Sequence, residues 1–496
     1  MPYASFSQFV TALETAGELK RIGVPVATEL EITEIADREM KSAGGGKALL
    51  FEKPTVEGRV SPIPVAINTM GSHRRMAMAL GIGSIDELAH QMQLILKAKP
   101  PTGLREAWTL LRQGIDLLHA RPRHVSDGPC KEVVQRFDAP GGSQQAAFTL
   151  ANLPVLKCWP RDGGPFITLP NVHTRDPETG ERNVGMYRMQ IYDGTTAGMH
   201  WQVHKVGARH GKRYYERNER MPVAVTLGGD PAMTFAATAP LPDGLDEVLF
   251  AGFIRKKSID LVKCETVDLE VPADSDFVLE GYVQPGEMRA EGPFGDHTGF
   301  YTPVDDYPVF HLTAITHRKQ PVYPATIVGI PPMEDFYMGS ASVRVFLPVF
   351  RMNFPEIVDI ALPAEGVFHN LVFVSIRKQY AWQAYKIMHA LWGMGQMMFS
   401  KYIVVVDEDC DVHNTSDVLF RLCANTDPQR DSTFIKNPCD ALDHAQTVAT
   451  MGSHMGLDAT RKIPGEGYTR NWPELLKMDP AVKERVNAIL GTAPTA

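Results

Sequence analysis

The amino-acid sequence predicts a mixed α+β protein in three parts, an α/β unit at either end of a β-rich middle. At 496 residues the chain is too long for one ordinary core, and length alone suggests about three domains. From about Cys130 to Ile315, short apolar runs are broken by Gly, Pro and Asp, which is the pattern of many short strands. After Pro331-Pro332 a strand–helix–strand alternation takes over, as in a βαβ unit.

The first part opens with an amphipathic helix, because Phe6, Phe9, Val10 and Leu13 recur at helical spacing, and the strand-like stretch 19–26 follows. Ser84 with Glu87 reads as a capping box for a helix running to Leu96. Gly81-Ile-Gly83 is only a fragment of a dinucleotide fingerprint, and residues 97–103 form a linker. In the middle part the runs 166–169, 184–192, 223–227, 259–263 and 309–315 suggest a barrel or a sandwich, with 247–253 packed beside it. In the last part a buried strand over 371–376 precedes a helix with Tyr385, Met388, Leu391 and Trp392 on one face, and a second strand spans 402–406. That apolar helix suits subunit contacts, and the Met-rich stretch 394–398 suits core or subunit packing. The end, 493–496, reads as frayed.

The composition narrows the function class. A net charge of -8, with no basic stripe among aromatics, argues against a nucleic-acid surface. Six cysteines without a C-x-x-C pair exclude a local zinc ribbon or thioredoxin-like motif. No basic region precedes an apolar core at the N-terminus, and no apolar run is long enough to span a bilayer, so a cytoplasmic protein is expected.

Glu291-Gly-Pro-Phe-Gly-Asp296 sets two carboxylates around a glycine-bent turn. Acids sharing a pocket repel, so at least one pKa is expected to rise toward neutrality, where a carboxyl group can give a proton to a reacting carbon. Taken alone, the pattern fits a solvated acidic turn better. His200-Trp-Gln-Val-His204 spaces two imidazoles one helical turn apart, but Trp201 stands where a zinc protease needs its glutamate. Structural histidines are one reading. The other is a metal site to which Asn183 and Glu247 add oxygen ligands, a set that suits Mn²⁺ or Mg²⁺ bridging to a phosphate. Asp407-Glu-Asp-Cys-Asp411 lacks the glycine and terminal glutamate of an EF-hand and reads as solvated acids ahead of a Ser416 helix cap. No G-x-S-x-G elbow supports serine catalysis.

Several separated motifs occur in one order: Asn183-Val-Gly-Met-Tyr-Arg188, the 201–204 segment, Glu247-Val-Leu-Phe-Ala-Gly252, Glu291-Gly-Pro-Phe-Gly-Asp-His-Thr-Gly299 and Gly456-Leu-Asp-Ala-Thr460. Together they resemble the UbiD family of reversible decarboxylases nearly end to end, and within it the bacterial branch acting on 4-hydroxy-3-polyprenylbenzoate. The resemblance implies an N-terminal α/β domain over 1–115, a flavin-reductase-like split β-barrel over 116–320 and a C-terminal α/β domain over 321–496. It implies prenylated FMN made by a partner flavin prenyltransferase, with Mn²⁺ at its phosphate and K⁺ nearby. By position, Asn183, His204 and Glu247 would bind Mn²⁺, while Met186, Tyr187, Arg188, His200, Trp201, Gln202, Lys205 and Val206 would line the flavin. Arg188, Glu291 and Asp296 would be catalytic, with Asp296 where the family carries Glu or Asp. His200 departs from the bacterial branch, which has Arg there. A homo-oligomer, dimer or hexamer, is implied as well.

The implied activity is non-oxidative decarboxylation of a 4-hydroxybenzoate-type or α,β-unsaturated acid. Expelling CO₂ from an sp² carbon leaves electrons that side chains absorb poorly, so a cofactor sink is required. Arg188 would orient the substrate carboxylate and keep Glu291 ionised, and Asp296 would return the proton. Two alternatives are a non-catalytic flavin-binding subunit of a carboxylase complex and a plain FMN oxidoreductase on a split barrel.

Overall fold

The computed structural model describes residues 3–96, 120–137, 148–202, 205–241 and 244–491. The expected linker at 97–103 and the expected frayed end at 493–496 lie outside them. In the first unit the helix Phe6–Thr15 starts at Ser5, whose side chain accepts from the Gln8 N–H, and it buries Phe6, Phe9, Val10 and Leu13. The strands Leu19–Ala27 and Ala48–Val56 pair in parallel, and Val65–Ile67 runs antiparallel to the latter. Tyr323–Ala325 then pairs in parallel with Val65–Ile67, so the chain re-enters the first sheet after completing the second.

The middle unit is a nine-stranded antiparallel sheet. Its long centre is the pair Phe277–Glu291 and Asp305–His317. The apolar run 184–192, expected as one strand, is two: Arg182–Met186 ends one side of the sheet, and Met189–Ile191 sits next to the last strand on the other. Only Tyr187 and Arg188 join them. Two residues can span roughly 10 Å, so opposite margins of the sheet must approach and the sheet curls into a split barrel. Strand propensity along the run is continuous; barrel closure breaks it.

The third unit begins with the helix Glu334–Asn353. Its sheet runs Ile357–Ala361, Leu371–Ile376, Tyr402–Asp407, Met451–Asp458 and Ser432–Pro438. Leu371–Ile376 and Tyr402–Asp407 are parallel and linked by the helix Gln383–Trp392, which is the expected βαβ unit. Both faces of this sheet are covered, as continuous apolar strands require. The helix face expected at a subunit contact is used internally: Met388, Leu391 and Trp392 are buried in the core, and Trp392 Nε1 donates to Ser400 O. The next helix, Thr415–Asn425, is capped by Asn414 rather than Ser416, because the Asn414 side chain accepts from the Ser416 and Asp417 N–H groups. The acids before it are not simply solvated, since Arg461 engages Asp407 and Asp409. Among the described residues no helix is long and apolar enough to cross a membrane.

Candidate active site

The break between Met186 and Met189 places Arg188 where the opposite margins of the sheet approach. Its guanidinium forks onto Glu291, with Nε donating to Oε1 at 2.8 Å and Nη2 to Oε2 at 3.1 Å. Nη1 donates to Asp296 Oδ2, and Nη2 also reaches Thr302 Oγ1 at 3.3 Å. The cation lies over the Phe294 ring, 4.4 Å from its centroid. Glu291 ends the long strand Phe277–Glu291, and Asp296 follows the short strand Phe294–Gly295, so the turn between them wraps the arginine.

Backbone anchors hold that turn. Gln190 Oε1 accepts from the Gly292 N–H, and Asp162 Oδ1 accepts from the Gly295 N–H. A Cβ on Gly295 would stand 2.2 Å from Trp159 Cδ1, so only glycine fits there. Sequence reasoning missed Asp162, Gln190 and Thr302. Asp162 and Gln190 reach the turn, and Thr302 reaches Arg188, across more than a hundred residues of chain, and no local pattern marks them.

The solvated-turn reading fails, because Glu291 is fully buried and Asp296 is 5% exposed. The expected upward pKa shift is also reversed. Burial pushes both carboxyls up, but hydrogen bonds from His200 and Arg188 with the arginine's charge bring Glu291 down to about 2. Arg188 and His297 hold Asp296 well below the carboxylate range. The repulsion inferred from two acids alone is overcome by the cation between them.

His200 follows the strand Thr196–Met199, and His200, Trp201 and Gln202 lie outside any helix; position 204 is outside the described residues. Its Nδ1 lies 3.3 Å from Glu291 Oε2, and its ring tilts against Tyr307 at 4.3 Å. Burial and the charge of Arg188 lower its pKa, so the ring is neutral near pH 7 and donates to Glu291.

A second locus lies about five residues back along the chain. Asn183 and Glu247 line one cavity of about 320 Å³ with Arg182, Val206, Arg209 and His210. Glu247 is the first residue of the helix Glu247–Arg255, and Val206 starts the helix Val206–Glu216. Two helix N-termini facing a cavity with arginines favour an anion such as phosphate. Glu247 accepts from the Val184 N–H at 2.9 Å, yet burial still pushes its carboxyl up to about 7. A desolvated carboxyl group and a carboxamide lining one cavity are donors of the type a hard divalent cation takes, so the chemistry of Asn183 and Glu247 is compatible with the expected metal. His204, the third expected ligand, lies outside the described residues.

The expected flavin-lining residues divide between the two loci. Met186 ends its strand, and its N–H donates to Ala237 O. Tyr187 and Trp201 both pack at the start of the Val206–Glu216 helix: Tyr187 OH accepts from the Gly207 N–H at 3.3 Å, and a Cβ on Gly207 would meet Trp201 Nε1 at 2.9 Å. Gln202 is half-buried beside Trp201. Lys205 precedes that helix, and burial lowers its pKa against the pull of Asp440.

Comparison with known proteins agrees along the whole chain. Three family models match in order: the 3-octaprenyl-4-hydroxybenzoate carboxy-lyase N-terminal domain over residues 10–95, the Rift-related domain of the same family over 123–331 and its C-terminal domain over 336–459. An uncharacterized protein of Archaeoglobus fulgidus is 48% identical over 491 residues, covering 99% of this chain and 98% of that one. Among solved structures, the closed form of vanillic acid decarboxylase from Sedimentibacter hydroxybenzoicus is 27% identical with a TM-score of 0.83, covering 98% of this chain and 99% of that one. An evolved dimeric form of the UbiD-class enzyme HmfF from Pelotomaculum thermopropionicum, in complex with prFMN, is 27% identical with a TM-score of 0.76, covering 97% and 100%.

Proposed function

This chain belongs to the UbiD family of carboxy-lyases, and from that premise we propose that it removes CO₂ reversibly from an aromatic, 4-hydroxybenzoate-type or α,β-unsaturated acid using prenylated FMN. The observation that carries the reading is the buried Arg188 held between Glu291 and Asp296. A flavin-binding subunit has no use for a proton donor at that place. Asn183, Glu247 and His204 would hold Mn²⁺ at the flavin phosphate, K⁺ would lie nearby, and a flavin prenyltransferase would supply the cofactor. When bound, prenylated FMN supplies the electron sink for the carbon that CO₂ leaves.

The protein groups divide the remaining work. A substrate carboxylate is the natural competitor of Asp296 for the Arg188 guanidinium, because both present planar oxygens to the same donors. Glu291 keeps two of those donors and so fixes the plane of the arginine. Once Arg188 turns to substrate, Asp296 loses the charge that depresses it while its burial remains. Its pKa then rises, and it can accept a proton and pass it to the carbon. The low pKa of the substrate-free site and the acid role are thus two states of one carboxyl group.

The test is co-expression with a flavin prenyltransferase, mass spectrometry of the bound flavin, and an anaerobic screen of aromatic and acrylic acids for CO₂ release. Asp296→Asn is expected to keep the flavin and lose roughly two to four decades of turnover. Unmodified flavin with consumption of reduced nicotinamide would instead identify an oxidoreductase, and full turnover by Asp296→Asn would remove that residue from the mechanism.

A further inference from the structure

A pair of histidines behind Asp296 links the barrel to the C-terminal unit. His297 Nδ1 lies 2.8 Å from Asp296 Oδ1, and His297 Nε2 lies 2.8 Å from His369 Nε2. An ionised carboxylate only accepts, so His297 Nδ1 carries hydrogen. Two bare imidazole lone pairs would repel at 2.8 Å, so one proton also lies between the two Nε2 atoms. The far nitrogen, His369 Nδ1, is buried with no hydrogen-bond partner among the described residues. One carboxylate oxygen of Asp440 completes the group, with the ligating atoms of all three residues within 4.8 Å of one another.

We infer that His297 and His369 form a proton relay that reloads Asp296 after each turnover and is complete only when the C-terminal unit is docked on the barrel. The inference rests on the decarboxylase reading, with Asp296 as donor. Decarboxylation consumes one proton per carboxylate, which leaves as the new C–H bond. To restore it, His297 Nδ1–H passes to Asp296 Oδ1, His369 Nε2–H passes to His297 Nε2, and His369 Nδ1 takes a proton from water. One proton enters and one leaves, and both rings end in the opposite tautomer, which reverses before the next turnover. His369 precedes the strand Leu371–Ile376, in a loop where Val367 and Phe368 both have positive φ, 53° and 45°. A β-branched residue rarely tolerates that conformation, and such strain persists where the surroundings fix a side chain for use. Phe368 packs on the His297 ring, 5.4 Å between centroids.

The charges around the pair set its direction. His297 faces Asp296, Asp335 and Asp440 as well as His369, and although burial lowers its pKa, the hydrogen bond and charge of Asp296 raise it on balance. His369 faces His297, Asp440, Asp443 and Lys205, and burial with the charge of His297 brings it down to about 4. A proton that enters at His369 is therefore drawn on to His297, the member nearest the donor.

The experiment uses the full chain. With nitrogen-15-labelled histidine in the apoprotein, a scalar coupling between His297 Nε2 and His369 Nε2 is expected, and it vanishes in His369→Ala. Its absence from the wild-type chain overturns the relay whatever the enzyme does. In the flavin-loaded enzyme, turning over an acid found in the CO₂ screen, His369→Ala is expected to lower kcat about tenfold or more with KM changed less than about twofold, and free imidazole restores the rate. An unchanged kcat, or a loss that imidazole leaves in place, overturns the relay. If the coupling is present and the loaded wild-type enzyme converts no acid, the decarboxylase reading has failed, and reloading of Asp296 falls with it.

Discussion

Replacing Arg188 by leucine removes the one cation between two buried carboxylates, and the consequence is a change in how stability responds to pH. In the wild-type site Glu291 is held at about 2 against an ordinary 4.5. That difference corresponds to about 3 kcal/mol of favourable interaction with the ionised form. A depressed carboxylate contributes stability that is present above its unfolded pKa and lost as pH falls through the folded one. Between pH 5 and 8, then, Glu291 and Asp296 are ionised in both states and add no slope. In Arg188→Leu burial is opposed only by the hydrogen bonds from His200 and His297, so the folded pKa values are expected to rise above the unfolded ones and the folded chain to bind more protons. Stability then falls as pH rises, by up to about 1.4 kcal/mol per pH unit for each carboxyl group that stays protonated. If the barrel unfolds as a unit of about 200 residues, the lost 3 kcal/mol lowers Tm by roughly 6–12 °C. The assay is thermal unfolding of wild type and variant at half-unit steps of pH. Adding Glu291→Gln to Arg188→Leu removes one buried acid and is expected to flatten the slope. Parallel Tm curves for wild type and Arg188→Leu would refute the claim that the arginine sets these two pKa values.

Two further predictions concern the supporting structure. Glu247→Gln is expected to weaken Mn²⁺ binding by calorimetry by on the order of 100-fold or more, since even residues behind metal ligands cost 10–100-fold. Because Glu247 is raised to about 7, wild-type affinity is expected to climb as pH approaches 7 and that proton leaves, and a variant that binds as tightly as wild type would remove Glu247 from the ligand set. Gly295→Ala puts a Cβ 2.2 Å from Trp159 Cδ1 and displaces the indole whose Nε1 donates to Val328 O. Overpacking of that kind costs about 1–3 kcal/mol, so a lower Tm and impaired CO₂ release are expected, and unchanged values of both would show that the turn does not depend on this contact.

What could be read from the sequence and what could not separate along a physical line. The helix Phe6–Thr15 and the strands on either side of Gln383–Trp392 announce themselves because their buried faces repeat within a few residues. Asn183 and Glu247 were singled out together from side-chain chemistry, and the fold brings them to one cavity. The split of the 184–192 run was hidden, because curling of the sheet interrupts the strand and local propensity does not. The same break delivers Arg188 to acids 103 and 108 positions away in the chain. Without that cation, two neighbouring carboxylates imply a raised pKa; with it, the sign inverts. The error lay in a missing long-range charge, and the carboxyl chemistry itself was sound. His297 shows the same limit, since it sits inside the recognised motif while its partner His369 is 72 residues on, in another unit. Residue types can thus disclose which chemistry is possible, whereas the protonation state in which it begins depends on contacts made between units, and that is why the proton path, more than the fold, required the folded chain.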